Sequence, residues 1–143
     1  MSVFATLHAT EPANPREALS LAFPLTAIPQ RPPFTVTIAG VQASAVPPST
    51  PNFLADDLGF DPAISLHLTL DKTALHAART QLARAIRAFL RGSRGDLVVL
   101  YIDTPVVKRD ATGAWVKRGY EDLAGAEGFE VVDTVSIPRA EEA

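Results

Sequence analysis

Ile64-Ser65-Leu66-His67-Leu68-Thr69-Leu70-Asp71-Lys72-Thr73 joins two periodicities, and that junction decides the fold. Ile64, Leu66, Leu68 and Leu70 alternate with Ser65, His67 and Thr69, the period of two of a strand with one buried face. From Asp71 or Thr73 the spacing changes, and either side chain suits a helix N-cap. Leu75, Ala78, Leu82, Ala85, Ile86 and Phe89 then recur at steps of three and four, the stripe of an amphipathic helix. The helix is expected over about 73–91, with Gly92 and Gly95 as its stop.

Working outward, Leu97 to Ile102 is apolar at every position, so both faces of that strand should be covered. Val106 to Arg109 and Ala114 to Arg118 flank Asp110-Ala111-Thr112-Gly113, where Asp first and Gly fourth signal a hairpin. Phe129 to Ile137 reads as a last strand. On the N-terminal side, Phe34, Val36 and Ile38 alternate with Thr35 and Thr37. The order strand, helix, then three strands argues an α+β fold. It predicts an antiparallel or mixed sheet with one principal amphipathic helix packed on one face.

The length of 143 residues suits one domain, 1–143, and an apolar share of 47% suffices for a core. Charge is unevenly placed. Residues 1–55 hold only Glu11, Arg16, Glu17 and Arg31, but nine of the twelve prolines. This segment is proline-rich and charge-poor, and 56–143 is expected to form the α+β core. Leu19-Ser20-Leu21-Ala22-Phe23 and Phe34 to Ile38 are too apolar for a disordered arm. The segment therefore reads as strands and a short helix joined by proline-rich turns, with Val41 to Asn52 as a linker or wrapping loop.

The absence of cysteine excludes a disulfide scaffold, a thiolate metal site and a cysteine nucleophile. A net charge of −3 supplies no global basic field, which argues against nucleic acid as a partner. No stretch approaches the roughly 18–20 apolar residues of a membrane-spanning helix. The opening MSVFATLHATEP lacks the basic start and apolar run of a secretory signal, so a cytoplasmic location is expected.

Between Asp71 and Asp96 stand six basic residues and no acid. Arg84, Arg87 and Arg91 fall on one face of the helix, opposite its apolar stripe. Such a ridge serves either as a solvated face or as a grip for phosphate or an acidic protein. No aromatics interleave with these arginines, so bases would find no stacking platform there. Tyr101, Trp115 and Tyr120 are the candidate interface anchors, and Tyr101 and Trp115 join the arginines as candidate partner-binding residues. After Arg118 the chain turns acidic, from Glu121 to Glu142.

His67-Leu68-Thr69 and His8-Ala9-Thr10 share the His-x-Thr pattern of the two-histidine phosphoesterases. In those enzymes two such strands face each other; one histidine takes a proton, the other gives one, and the hydroxyls hold the phosphate. His8, Thr10, His67 and Thr69 are thus the alternative catalytic set. His8, His67 and His76 show no metal-ligand spacing, Asp56, Asp57 and Asp61 sit in a turn beside Gly59 and Pro62, and no metal or cofactor is expected. No phosphate-binding glycine loop or nucleophile elbow is present, and Ser93 in its glycine-flanked loop has no histidine near it in sequence.

One longer stretch points to a family. Leu58 to Lys72 with its Leu70-Asp71-Lys72 ending, the arginine-bearing helix, Gly95-Asp96-Leu97-Val98-Val99-Leu100-Tyr101 and Pro105-Val106-Val107-Lys108-Arg109 follow in order. Over roughly residues 58–118 this resembles the immunity proteins of the myxobacterial swarming-inhibition toxin (Sit) systems. It departs from their pattern at Asp103-Thr104-Pro105. The resemblance implies a cytoplasmic, non-enzymatic protein that binds and neutralises a cognate toxin, and it assigns no contact residue. The expected partner is another protein, whether toxin or neighbouring subunit. Two alternatives stand beside it: a phosphoesterase acting on cyclic phosphate or RNA ends, and an assembly subunit whose N-terminal arm wraps a neighbour.

Overall fold

A computed structural model describes residues 3–47, 60, 62–125 and 128–136. Eight strands form one sheet: β1 (Val3–Ala9), β2 (Thr35–Ile38), β3 (Val41–Val46), β4 (Ile64–Leu70), β5 (Leu97–Tyr101), β6 (Thr104–Asp110), β7 (Gly113–Lys117) and β8 (Glu130–Val132). The helices are α1 (Pro15–Ala22), α2 (Leu75–Gly92) and the short α3 (Glu121–Ala124). The order across the sheet is β2-β3-β4-β1-β5-β6-β7-β8. Every pairing is antiparallel except β7 with β8. The fold is the expected α+β arrangement, with a mixed sheet and one principal helix on one face. Among the described residues no helix is long and apolar enough to cross a membrane.

The strand–helix junction forms as its spacing dictates. Ile64, Leu66, Leu68 and Leu70 are buried while His67 is exposed. Asp71 accepts from the Thr73 amide (2.9 Å) and hydroxyl (2.7 Å), which caps a 3-10 turn over Lys72–Ala74 before α2 begins. Within α2, Ala78, Leu82, Ala85, Ile86 and Phe89 pack into the core with Leu7, Leu66 and Leu68. Leu97, Val98 and Val99 are buried, although the strand opens to solvent at its far end. The Asp110–Gly113 turn is present, with Asp110 accepting from the Thr112 amide at 2.7 Å.

Three expectations fail, two of them on a long-range pairing. Val41 to Val46 is no linker or wrapping loop; it is β3, paired to both β2 and β4, with Val41, Ala43 and Ala45 buried. Residues 47–52 of that expectation lie outside the described residues except Pro47. The core is not confined to 56–143, because Val3–Ala9 is the strand between β4 and β5. A strand made of Val-Phe-Ala-Thr-Leu-His-Ala shows little β-branching, so its centrality is set by partners on both sides. The strand expected over Phe129 to Ile137 shrinks to Glu130–Val132 before the chain bends at Asp133 and Thr134; Ile137 lies outside the described residues.

The sheet has two unlike faces. Leu7, Val99, Val107 and Val116 stand in register on the helix side. On the other side Val46, Ser65, His8, Val98, Lys108, Trp115 and Glu130 form one row across seven strands. Ser44, His67, Thr6 and Leu100 form the next row.

Candidate functional site: an arginine-lined pocket

The sequence-level candidates divide among three places. On the face away from the helices, His8 and His67 occupy adjacent strands and the same side, one register step apart. His8 is only 3% exposed, and its Nδ1 shares a 2.7 Å hydrogen bond with the Ser65 hydroxyl, the donor being set by the imidazole tautomer. Burial, and secondarily the neighbouring His67, lower its pKa from 6.5 to about 4, so it is neutral across the physiological range. Thr10 and Thr69 flank this pair at opposite ends, because β1 and β4 run antiparallel. Thr10 Oγ1 accepts from the Asp96 amide at 3.1 Å, and Thr69 stands opposite Phe4. Gly95, at φ +92°, lets the Thr10 segment approach: a Cβ there would lie 2.4 Å from Thr10 Oγ1.

Trp115 shares that face. Its ring lies against Gly113 and carries the Lys108 ammonium 5.2 Å from its centroid. Tyr101 is elsewhere, at the end of β5. There the Arg79 guanidinium stacks over both Tyr101 (5.2 Å) and Tyr120 (4.9 Å) and donates to both oxygens of Asp122. This arrangement ties α2 to β5 and α3, so half-buried Tyr101 acts as packing within the domain.

The arginine ridge is what the tertiary structure turns into a concave site. Arg84 is exposed on α2, away from the cavity that its neighbours line. Arg87 and Arg91, one helical turn apart, enter the wall of a cavity of about 410 Å³. Leu90 and Phe129 supply apolar wall, Gly125 and Gly128 form part of the rim, and Arg109 reaches in from β6. Gly125, at φ +81°, is the left-handed residue that ends α3, and a Cβ on it would meet Arg87 Cδ at 3.2 Å. Glycine here both permits the turn and leaves room for the arginine stem.

The three guanidiniums differ in commitment. Arg109 donates from Nε to the Gly95 carbonyl (3.0 Å), from Nη1 to the Leu90 carbonyl (2.9 Å) and from Nη2 to the Ser93 hydroxyl (3.1 Å). Ser93 in turn donates to the Phe89 carbonyl at 2.6 Å. Arg109 therefore closes the C-terminal end of α2, where unsatisfied carbonyls concentrate partial negative charge. Burial pulls its pKa below the ordinary arginine value, with Glu11 and Asp96 opposing, and it remains a cation. Arg87 and Arg91, by contrast, pair with no carboxylate among the described residues.

Sequence reasoning found Arg87 and Arg91 from helical spacing. It did not single out Arg109 or Phe129 as site residues; the Lys108-Arg109 pair on a strand was the one available signal. Among the described residues no group of three His, Asp or Glu side chains is placed to hold a metal ion. Compared with family models, curated proteins and solved structures, the chain matches none.

Proposed function

We propose that this chain is a non-enzymatic protein-binding domain, a cytoplasmic immunity protein that neutralises a toxin encoded beside it. The observation that carries the binding reading is the contrast in commitment among its reactive groups. His8, Ser65, Ser93 and Arg109 spend their hydrogen-bonding capacity inside the domain, whereas Arg87 and Arg91 stand in a concave, partly apolar site. Arginines beside apolar wall, here one half-buried and one exposed, are the chemistry of interface anchors. The resemblance over residues 58–118 supplies the toxin as the kind of partner. Co-expression tests the reading: growth arrested by the toxin of the neighbouring gene is restored by this chain. Failure to rescue, with the chain soluble and folded, overturns it.

One observation favours a second reading, a phosphoesterase of the two-histidine type, since His8 and His67 do share a face on adjacent strands. Against it stand the sealing of His8 and the separation of Thr10 from Thr69. Turnover of a 2′,3′-cyclic nucleotide that disappears in His67→Ala would establish that reading instead. The assembly reading has less to work with, because Val3–Val46 completes this chain's own sheet and helix layer.

A further inference from the structure

Resting on the protein-binding reading, we propose that the arginine pocket seats an acidic segment of the partner protein. A carboxylate side chain is held jointly by Arg87 and Arg91, with an apolar neighbour lodged against Phe129 and Leu90. Charge complementarity selects the occupant. Two guanidiniums one turn apart line the same cavity, and a carboxylate is the planar acceptor that matches a guanidinium fork. The site would otherwise be poor for an anion, because the last turns of α2 border it and the final carbonyls of a helix carry partial negative charge. Arg109 removes that obstacle by donating to the Leu90 carbonyl and placing its own charge there. It acts as a positioning residue, cancelling the helix end so that Arg87 and Arg91 meet a foreign carboxylate in a net positive field.

The walls select against other anions. Leu90, Phe129, Ala114 and Ala124 are apolar and line the same cavity as the arginines, so a bare phosphate would leave that surface in contact with water. A peptide bearing an acidic and an apolar side chain fills both halves. The volume of about 410 Å³ leaves room for an acidic and an apolar side chain together. Nucleic acid fits less well, since among the described residues Phe129 is the one aromatic lining the pocket and is half-buried.

The test is a nuclear magnetic resonance titration of the full chain, labelled with ¹⁵N, using acetyl-Phe-Glu-Leu-Glu-amide as probe. Its glutamine counterpart, acetyl-Phe-Gln-Leu-Gln-amide, and inorganic phosphate serve as comparison ligands. The expected result is saturable shifts of the Gly125, Gly128 and Phe129 amides and of the Arg87 and Arg91 Nε–H signals. Affinity for the glutamate peptide should exceed that for the other two ligands at least tenfold. The double variant Arg87→Ala/Arg91→Ala, shown folded by its undisturbed spectrum elsewhere, should lose the response. Equal binding of the glutamine peptide, equal or tighter binding of phosphate, shifts located elsewhere, or an unchanged response in the double variant overturns the proposal.

A second arm separates this proposal from the reading beneath it. Arg87→Glu/Arg91→Glu should abolish rescue from the toxin. Rescue by that variant overturns the pocket proposal and leaves the immunity reading standing. A wild-type chain that binds the glutamate peptide without rescuing overturns the immunity reading alone.

Discussion

The His8 row and the arginine pocket both place nitrogen-rich side chains against the core, and they use them in opposite ways. His8 lies in the middle of the sheet with strands on either side and Ser65 directly across. Its environment has removed the charge: burial favours the neutral imidazole, and one hydrogen bond satisfies Nδ1. The pocket lies at the end of a helix, where guanidiniums cannot shed their charge at any accessible pH. There the structure satisfies one arginine with carbonyls and a hydroxyl and leaves two facing a cavity. The difference teaches that titratability decides the use. A group that can become neutral is absorbed into the core as such, whereas a permanent cation is either matched with acceptors, as Arg109 is, or left at an open cavity, as Arg87 and Arg91 are.

The contrast breaks most easily at Arg109. Arg109→Ala removes three hydrogen bonds from a cation to the Leu90 and Gly95 carbonyls and Ser93. At about 1.5 kcal/mol or more for each such bond, and allowing for non-additivity, the loss should be about 3–4 kcal/mol. Urea unfolding measures it. A loss below about 1 kcal/mol would mean that Arg109 closes nothing and that the three arginines are equivalent.

The His8 side of the comparison sharpens with pH. Its pKa is about 4 in the folded chain against 6.5 for the ordinary group, so between these values the unfolded chain binds more protons. Stability from this residue is therefore complete above pH 6.5, drains as pH falls toward 4, and changes no further below that. The full drop is about 3 kcal/mol from a shift of this size. Carboxylates such as Asp110 and Asp133, held below their usual range by Thr112 and Arg118 respectively, add their own acid loss at lower pH. The measurement is accordingly the difference in urea midpoint between wild type and His8→Gln at pH 7.5, 5.5 and 4.5. A difference that does not narrow as pH falls would show that His8 is not held neutral.

The smallest expected effect is the complement of the first. Arg91 is exposed and without a carboxylate partner among the described residues, so Arg91→Ala should change stability by less than about 0.5 kcal/mol. A loss comparable to that of Arg109→Ala would make Arg91 part of the scaffold and remove it from the binding surface.

Much of the fold was legible where residues close in sequence carry the signal. The period of two in Ile64–Leu70, the cap at Asp71, the stripe through Phe89 and the Asp110–Gly113 turn are each decided within a few residues by local sterics and hydrogen bonding. Those elements formed where expected. The N-terminal third is made of strands and a short helix, as expected, but its place in the core and the strand at Val41–Val46 were missed because they depend on distant partners. Val3–Ala9 gives a mixed local pattern, and only pairing with β4 on one side and β5 on the other makes it central. Val41–Val46 looked like a proline-flanked linker until β2 and β4 enclosed it.

The candidate site divides along the same line. Sequence by itself determined that Arg87 and Arg91 would share a helix face away from the apolar stripe, because 100° per residue fixes that geometry without reference to the rest of the chain. Only the tertiary structure decided that this face would border a cavity. Arg109 comes from β6, Phe129 from the segment before β8 and Gly125 from the end of α3. No local rule brings residues 87, 109, 125 and 129 together; the packing of α2 and α3 on the sheet does. The histidines show the converse. The sequence marked His8 and His67 as a matched pair, and strand register did place them side by side. Burial, a property of the assembled core alone, then made His8 a sealed neutral group while its twin stayed in water.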